Sequence, residues 1–257
     1  NKWLNDAVFY EIYPQSFYDS NDDGIGDLNG IRLKLDYIKS LGCNAIWLNP
    51  CFDSPFKDAG YDVRKNKKIA TRYGTNEDLE NLVKEMHNKD MRLILDLVPC
   101  HTSEEHPWFI ESSKQEKNAY SNRYIWTDGA FNKPRGLTAV GGEKPRNGTY
   151  VISFFNCQPS LNYGFGKVEE NWQKTTDSLE ALATQDAMID VMKYWLSKGV
   201  DGFRVDMAAC LVKYDENEVE TMAAWEKMLG IVIKEYPHAV FVSEWANPKR
   251  ALKCGFD

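Results

Sequence analysis

The chain has 257 residues, 43% of them apolar and 27% charged, with a formal net charge of -7. That length supports one substantial core, and the mix is that of a soluble globular protein. The acidic balance, without a clustered basic stripe, argues against a nucleic-acid partner, and no apolar run approaches the roughly 20 residues that would span a membrane.

Taken in chain order, the text alternates strand-like and helix-like runs. Residues Val8 to Tyr13 form a β-rich run ended by Pro14. Leu28, Ile31, Leu35 and Ile38 then recur at helical spacing, with Asp27 as N-cap. Asn44 to Leu48 is a short apolar strand stopped by Asn49-Pro50. Thr75 to Asp78 reads as a capping box, with the stripe Leu79, Leu82, Val83 and Met86 behind it. Arg92 to Val98 follows as a third strand. After a long interruption, Met188, Val191, Met192, Trp195 and Leu196 mark a helix ending at Gly199, and Gly202 to Asp206 a fourth strand. Met222, Trp225, Leu229 and Val232 mark another helix, and Ala239 to Ser243 the fifth strand.

The strands are consecutive apolar runs separated by helices, the pattern of a parallel sheet buried on both faces. Polar residues at their C-terminal ends suggest an α/β fold of the (β/α)8 TIM-barrel class, about five strand-helix units of it present. A doubly wound open sheet is the alternative, but no Gly-rich phosphate loop follows any strand. Residues 101–166 are polar and rich in Gly, Asn, Pro and aromatics, too long for a simple connection. They read as a small inserted domain after the third strand, dividing the barrel domain into 1–100 and 167–257.

Charges at the ends of doubly buried strands need a reason. Asp96, Arg204, Asp206 and Glu244 all stand there. Arg204 and Asp206, two apart, share a strand face, so Arg204 is expected to hold Asp206 ionised and to leave Glu244 with the raised pKa. One ionised and one protonated carboxyl are what glycoside hydrolysis requires. An internal ion pair with Glu244 capping a helix is the competing reading. Asp19, Asn21 and Asp23 alternate before Gly24 and Asp27, like the opening of a calcium loop. The EF-hand's twelfth-position Glu is replaced by Gly30, and a solvated acidic turn is the alternative. The six cysteines lack any CxxC pair and read as mostly free, buried thiols, which leans towards a reducing, cytoplasmic setting.

The stretches "YEIYPQSFYDSNDDGIGDLNGI", "GYDV", "LDLVPCHTS", "QPSLNY", "DGFRVDMA" and "SEW" together resemble the alpha-amylase family, glycoside hydrolase family 13, in order and spacing from about Val8 onwards. The resemblance implies a retaining hydrolase of α-glucosidic bonds in starch-derived or related oligosaccharides. Asp206 would be the nucleophile and Glu244 the general acid and base. Arg204 would orient Asp206 and Asp96 would support it; His101, Tyr61 and Asp62 would contact the sugar. The insertion would be the family's domain B. In oligo-1,6-glucosidase-like members a similar loop binds structural calcium, which implies Asp19, Asn21, Asp23, Asp27 and the Ile25 carbonyl as ligands. A transglycosylase or phosphorylase, or a non-catalytic sugar-binding homologue, would share much of this pattern.

There are departures. Cys100 precedes His101 where the family usually has Asn, Ala209-Cys210 replace a Lys-His pair common in endo-acting amylases, and Ser160 replaces a usual Asp. The family barrel has eight strands and a third carboxylate after a His near the end of the seventh. No His-Asp pair occurs here. The resemblance therefore implies the N-terminal part of an enzyme, inactive alone and completed by further chain or a second polypeptide.

Overall fold

A computed structural model describes residues 2–257, with side chains from residue 3 onwards. Its first half runs α1 (Lys2–Asn5), β1 (Phe9–Ile12), α2 (Pro14–Phe17), α3 (Leu28–Leu33), α4 (Leu35–Ser40), β2 (Ala45–Leu48), β3 (Phe52–Asp53), β4 (Lys65–Ile69), α5 (Asn76–Asn88) and β5 (Arg92–Leu97). Then come α6 (Pro107–Ser112), β6 (Ala139–Gly141), β7 (Thr149–Val151), α7 (Leu179–Ser197), β8 (Gly202–Val205), α8 (Val219–Glu235), β9 (Val240–Ser243) and α9 (Pro248–Lys253). Two 3-10 turns, Ala208–Cys210 and Glu216–Glu218, lie between β8 and α8.

Five strands form one sheet in the order β1-β2-β5-β8-β9, every neighbouring pair parallel. Sequential order with a crossover between each pair is the arrangement of consecutive units of a (β/α)8 barrel. Apolar residues dominate the strands because both faces are covered: Leu93, Leu95, Phe203, Val205 and Phe241 are fully buried on one face, and Ala45, Ile94 and Val240 are buried on the other. Helices pack outside, α7 through Met188, Met192 and Trp195 and α8 through Trp225, Met228 and Val232. Each such buried side chain contributes roughly 1.5–3 kcal/mol of transfer free energy.

Local signals set the helix starts. Thr75 accepts from the Asp78 amide while Asp78 accepts from the Thr75 amide, a complete capping box at α5. Asp27 caps α3 by accepting from the Gly30 amide at 2.6 Å. The stripe Leu28, Ile31, Leu35, Ile38 is wholly buried, as its spacing requires, but the helix is broken in two. Lys34 leaves helical geometry (φ -105, ψ 7) and its amide turns to the Ile31 and Arg32 carbonyls, closing one helix before the next begins.

The polar segment after β5 holds more regular structure than its pattern shows. It contains α6 and the β6-β7 hairpin, joined by an aromatic cluster of Phe109, Tyr124, Trp126 and Tyr150. These rings are continuous with the main core. A second hairpin, β3-β4, carries the unpromising sequence KNKKI in β4, whose Asn66 is buried under Trp195 and His106. Among the described residues no helix is long and apolar enough to cross a membrane.

Candidate active site

Parallel pairing aligns Asp96 of β5 with Arg204 of β8, and Arg204 with Val242 of β9. The strand ends therefore lie side by side, although Asp96 and Arg204 are 108 residues apart in sequence. Arg204 is the hub. Its Nη1 donates to Asp96 Oδ1 at 2.8 Å and to Asp206 Oδ1 at 2.9 Å, and its Nη2 meets Glu244 Oε2 at 2.9 Å. Its guanidinium also lies over the Trp47 ring, 5.1 Å from the centroid. A planar fork of donors is what lets one residue serve several carboxylates at once.

Asp96 is held on its other oxygen by Trp47 Nε1 at 3.0 Å and Tyr61 Oη at 3.3 Å. Glu244 accepts from the Met207 amide at 3.0 Å, and its main chain joins the Asp206 loop through Ala208 N to Glu244 O. Met207 itself is left-handed (φ 45, ψ 45). A non-glycine residue holds that conformation only where its surroundings impose it.

Protonation departs from the sequence-based expectation. Arg204 alone would pull Asp206 down, but burial and the Asp96 charge outweigh it, and Glu244 adds to them, so Asp206 is pushed up to about 7. Asp96 is pushed up to about 6 by burial, which Arg204, Trp47 and Tyr61 only partly offset. Three carboxyls around one guanidinium cannot all be ionised cheaply, so the cluster keeps a proton near neutrality. Glu244, with 47% of its side chain exposed, is the member nearest solvent.

Tyr61, His101, Arg204, Asp206 and Glu244 line one cleft of about 330 Å³ together with Asp58, Phe154, Phe155 and Met207. His101 is buried, and its Nε2 donates to the Tyr61 carbonyl at 3.2 Å, leaving Nδ1 as a buried acceptor without a protein partner. Burial, with the Lys213 charge added, holds its pKa down at about 4 against the Tyr61 contact, so the ring is neutral. Asp62 is not in the cleft. Its oxygens accept from Ser54 Oγ and the Lys57 and Asp58 amides, and it is fully buried, so it shapes the loop that carries Tyr61.

Pattern reading missed Asp58, Phe154 and Phe155. The signal was present in "SFFN", two adjacent phenylalanines in a polar segment, 52% and 54% exposed, with the Phe154 ring edge-on to His101. Asp58 had no such signal, and it is held by Gln158 from the far side of the same segment.

The Asp19–Asp27 turn is built around oxygen atoms. Asp19 accepts from the amides of Asn21, Asp22 and Gly24, Asn21 from that of Asp23, and Asp23 from that of Ile25. The Gly24 and Asn21 amides hold the Asp19 carboxyl below the usual range. Hard oxygens on Asp19, Asn21 and Asp23 are donor types suited to calcium. Asp27 fits less well, because Ser20 and the Gly30 amide together occupy both its carboxylate oxygens. No cluster of three His, Cys, Asp or Glu side chains arranged for a metal occurs among the described residues.

A family model described as the alpha amylase catalytic domain matches residues 11–254. An oligo-1,6-glucosidase from Heyndrickxia coagulans is 41% identical over 224 residues, covering 83% of this chain and 37% of the relative. A trehalose synthase/amylase from Mycolicibacterium smegmatis is 38% identical, covering 94% of this chain and 40% of its own length. Among solved structures, a mutant isomaltulose synthase from Erwinia rhapontici NX5 in complex with sucrose superposes with a TM-score of 0.80 at 34% identity, over 94% of this chain and 44% of that one. The chain thus spans about two fifths of the curated relatives' length. On the family match across nearly its whole length, this chain belongs to the alpha-amylase family.

Proposed function

We propose that the intact protein cleaves or transfers α-glucosidic bonds with retention, through a covalent glycosyl-enzyme intermediate on Asp206. The observation that carries this reading is the Arg204 hub, which gathers Asp206 and Glu244 at the mouth of one cleft. Retention needs two carboxyls close together, one to attack the anomeric carbon and one to protonate the leaving oxygen. Asp206, fixed and buried, suits the attack. Glu244, exposed and held only through Oε2, suits the proton exchange, first giving a proton to the leaving oxygen and then taking one from the acceptor. The acceptor is water in hydrolysis or a sugar hydroxyl in transfer.

The orphan Nδ1 of neutral His101 offers an acceptor to a sugar hydroxyl, and Tyr61 and Phe154 offer ring faces. The 101–166 segment would act as the family's domain B, supplying the His101, Phe154 and Phe155 side of the cleft. The similar proteins' names span an oligo-1,6-glucosidase, a trehalose synthase/amylase and an isomaltulose synthase in complex with sucrose, so α-1,6-linked glucose oligosaccharides, trehalose and sucrose are the substrates to try first. The deciding experiment is incubation of the intact protein with a slow 5-fluoroglucosyl fluoride followed by peptide mapping. A glucosyl adduct on Asp206 is expected; an adduct elsewhere, or inversion at the anomeric carbon, would overturn the reading.

We also propose that the Asp19, Asn21 and Asp23 side chains, with the Ile25 carbonyl, hold calcium, which stiffens the turn and takes no part in catalysis, Asp27 serving as the cap of α3 instead. Removal with a chelator should then lower the melting temperature, because an ion bound only to the folded state stabilises it. Calcium should restore it and magnesium should not. An unchanged melting temperature would leave the turn as a solvated loop.

A further inference from the structure

Two residues that the proposed reaction does not use meet beneath the strand end bearing Asp206. Cys100 follows β5, and Cys210 closes the 3-10 turn after Asp206. Both are tied to one oxygen: the Met207 carbonyl accepts from Cys100 Sγ at 3.1 Å and from the Cys210 amide at 3.0 Å. The two thiols are near enough to influence each other's ionisation, and both are free. Cys100 is buried and Cys210 is half-buried, so only one of the pair is open to a reagent.

Their surroundings divide the roles. The neighbouring Cys100 thiol, and after it the Lys213 charge, draws Cys210 down to about 6 in spite of burial, while the same neighbour and burial push Cys100 up. A reachable sulfur with thiolate character beside a buried protonated thiol is the arrangement of an attacking and a resolving cysteine.

We propose that Cys100 and Cys210 form a reversible dithiol–disulfide site, oxidised by peroxide, directly behind the Met207 wall of the cleft. The Cys210 thiolate attacks one peroxide oxygen and the O–O bond breaks. Hydroxide leaves and takes up the proton that Cys210 released on ionising, which gives water and a sulfenic acid. Cys100 sulfur then attacks the sulfenic sulfur, and its proton leaves with the hydroxyl as a second water. Two thiols are oxidised by two electrons and the peroxide is reduced to two waters.

The bridge would remove the S–H that Cys100 donates to the Met207 carbonyl. It would also pull on a left-handed residue whose amide holds Glu244. Loss of activity on oxidation is therefore expected; this clause rests on the glycosidase reading, whereas the disulfide itself does not.

The test treats the intact protein with hydrogen peroxide at pH 7, alkylates the remaining thiols and maps peptides without reduction, with activity assayed in parallel. A Cys100–Cys210 cross-linked peptide is expected, with two of the six thiols withdrawn from alkylation. Dithiothreitol should reverse the bridge and the activity loss, and Cys210→Ser should abolish both responses. Continued alkylation of both thiols, or a Cys210 sulfinic acid without a bridge, overturns the proposal. A bridge that forms with activity unchanged overturns only the coupling to Glu244. A reduced protein with no activity on any α-glucoside sinks the glycosidase reading, and the peptide map still decides the disulfide.

Discussion

Asp206 is held against its own ionisation, and this has a measurable cost. Its folded pKa of about 7 lies well above the roughly 3.9 of an unfolded aspartate. A carboxyl raised in the folded state contributes stability that is fully present below the unfolded pKa and is lost as pH rises through the folded one. Between about pH 4 and 7 the native protein therefore gives up stability at this residue. An asparagine side chain in its place would keep the acceptor for Arg204 and cannot ionise. The Asp206→Asn protein should be more stable than native by about 1–2 kcal/mol at pH 8, the gain shrinking towards pH 5. Urea denaturation at the two pH values checks it, and an Asp206→Asn protein less stable than native at pH 8 would show that the hub needs the charge. The same substitution should reduce activity on an α-glucoside by roughly 10⁴-fold, since it removes the proposed nucleophile.

At the scale of elements, two backbone features set the site's geometry. The β8-β9 pair is in close contact at Gly202, where an added Cβ would sit 2.1 Å from the Val240 carbonyl oxygen. Backbone on a paired strand cannot give way, so Gly202→Ala should cost about 3 kcal/mol or more. It should also lower activity, because the same pairing sets Arg204 and Asp206 against Glu244. Thermal unfolding of the variant decides this, and a melting temperature within a degree of native would mean the strands can part. The α5 cap is a milder case. Thr75→Ala removes a side-chain acceptor for the Asp78 amide at an exposed helix start and should cost about 1 kcal/mol without touching the site. Equal loss of activity and stability in that variant would contradict the separation of the two.

Over the whole molecule, the pH response is a contest between groups buried neutral. His106 Nδ1 accepts from the Trp108 amide and caps α6, while its Nε2 donates to Asn66 Oδ1, so both nitrogens are committed to the neutral ring. Burial, then the Arg123 charge, holds its pKa down at about 3. A histidine lowered in this way loses stability as pH falls below the unfolded value of about 6.5, the opposite sense to Asp96 and Asp206. Between pH 7 and pH 5, His106 alone should account for about 2 kcal/mol of lost stability. His106→Gln should be destabilised at pH 7 yet show a smaller difference between the two pH values. Denaturation curves at both decide it, and an undiminished difference would move the acid sensitivity to another group.

The five strands were legible because each is mostly apolar over a short run, with charges only at or near the strand ends, as burial on both faces requires. The caps at Asp27 and Thr75 were legible because an N-cap acts over three or four residues of chain. The family resemblance came from several short motifs in order, and the match to the alpha-amylase catalytic domain agrees with it. What the local pattern lacked was depth and company. It did not show that Lys34 would split a helix, that KNKKI would pair as a strand under Trp195, or that Asp62 would turn into its own loop while Asp58 reached the cleft. It implied a lowered Asp206, because Arg204 is two residues away in the chain. Asp96, 108 residues from Arg204, was invisible to that reasoning until parallel pairing set the two strands in register. Cys100 and Cys210 were read as unrelated departures, and only the shared Met207 carbonyl makes them a pair. Sequence by itself determined which segments are buried and what chemistry stands at their ends, since burial and capping depend on near neighbours. The tertiary structure decided which charges and thiols meet, because those contacts are set by strand register and loop closure across most of the chain.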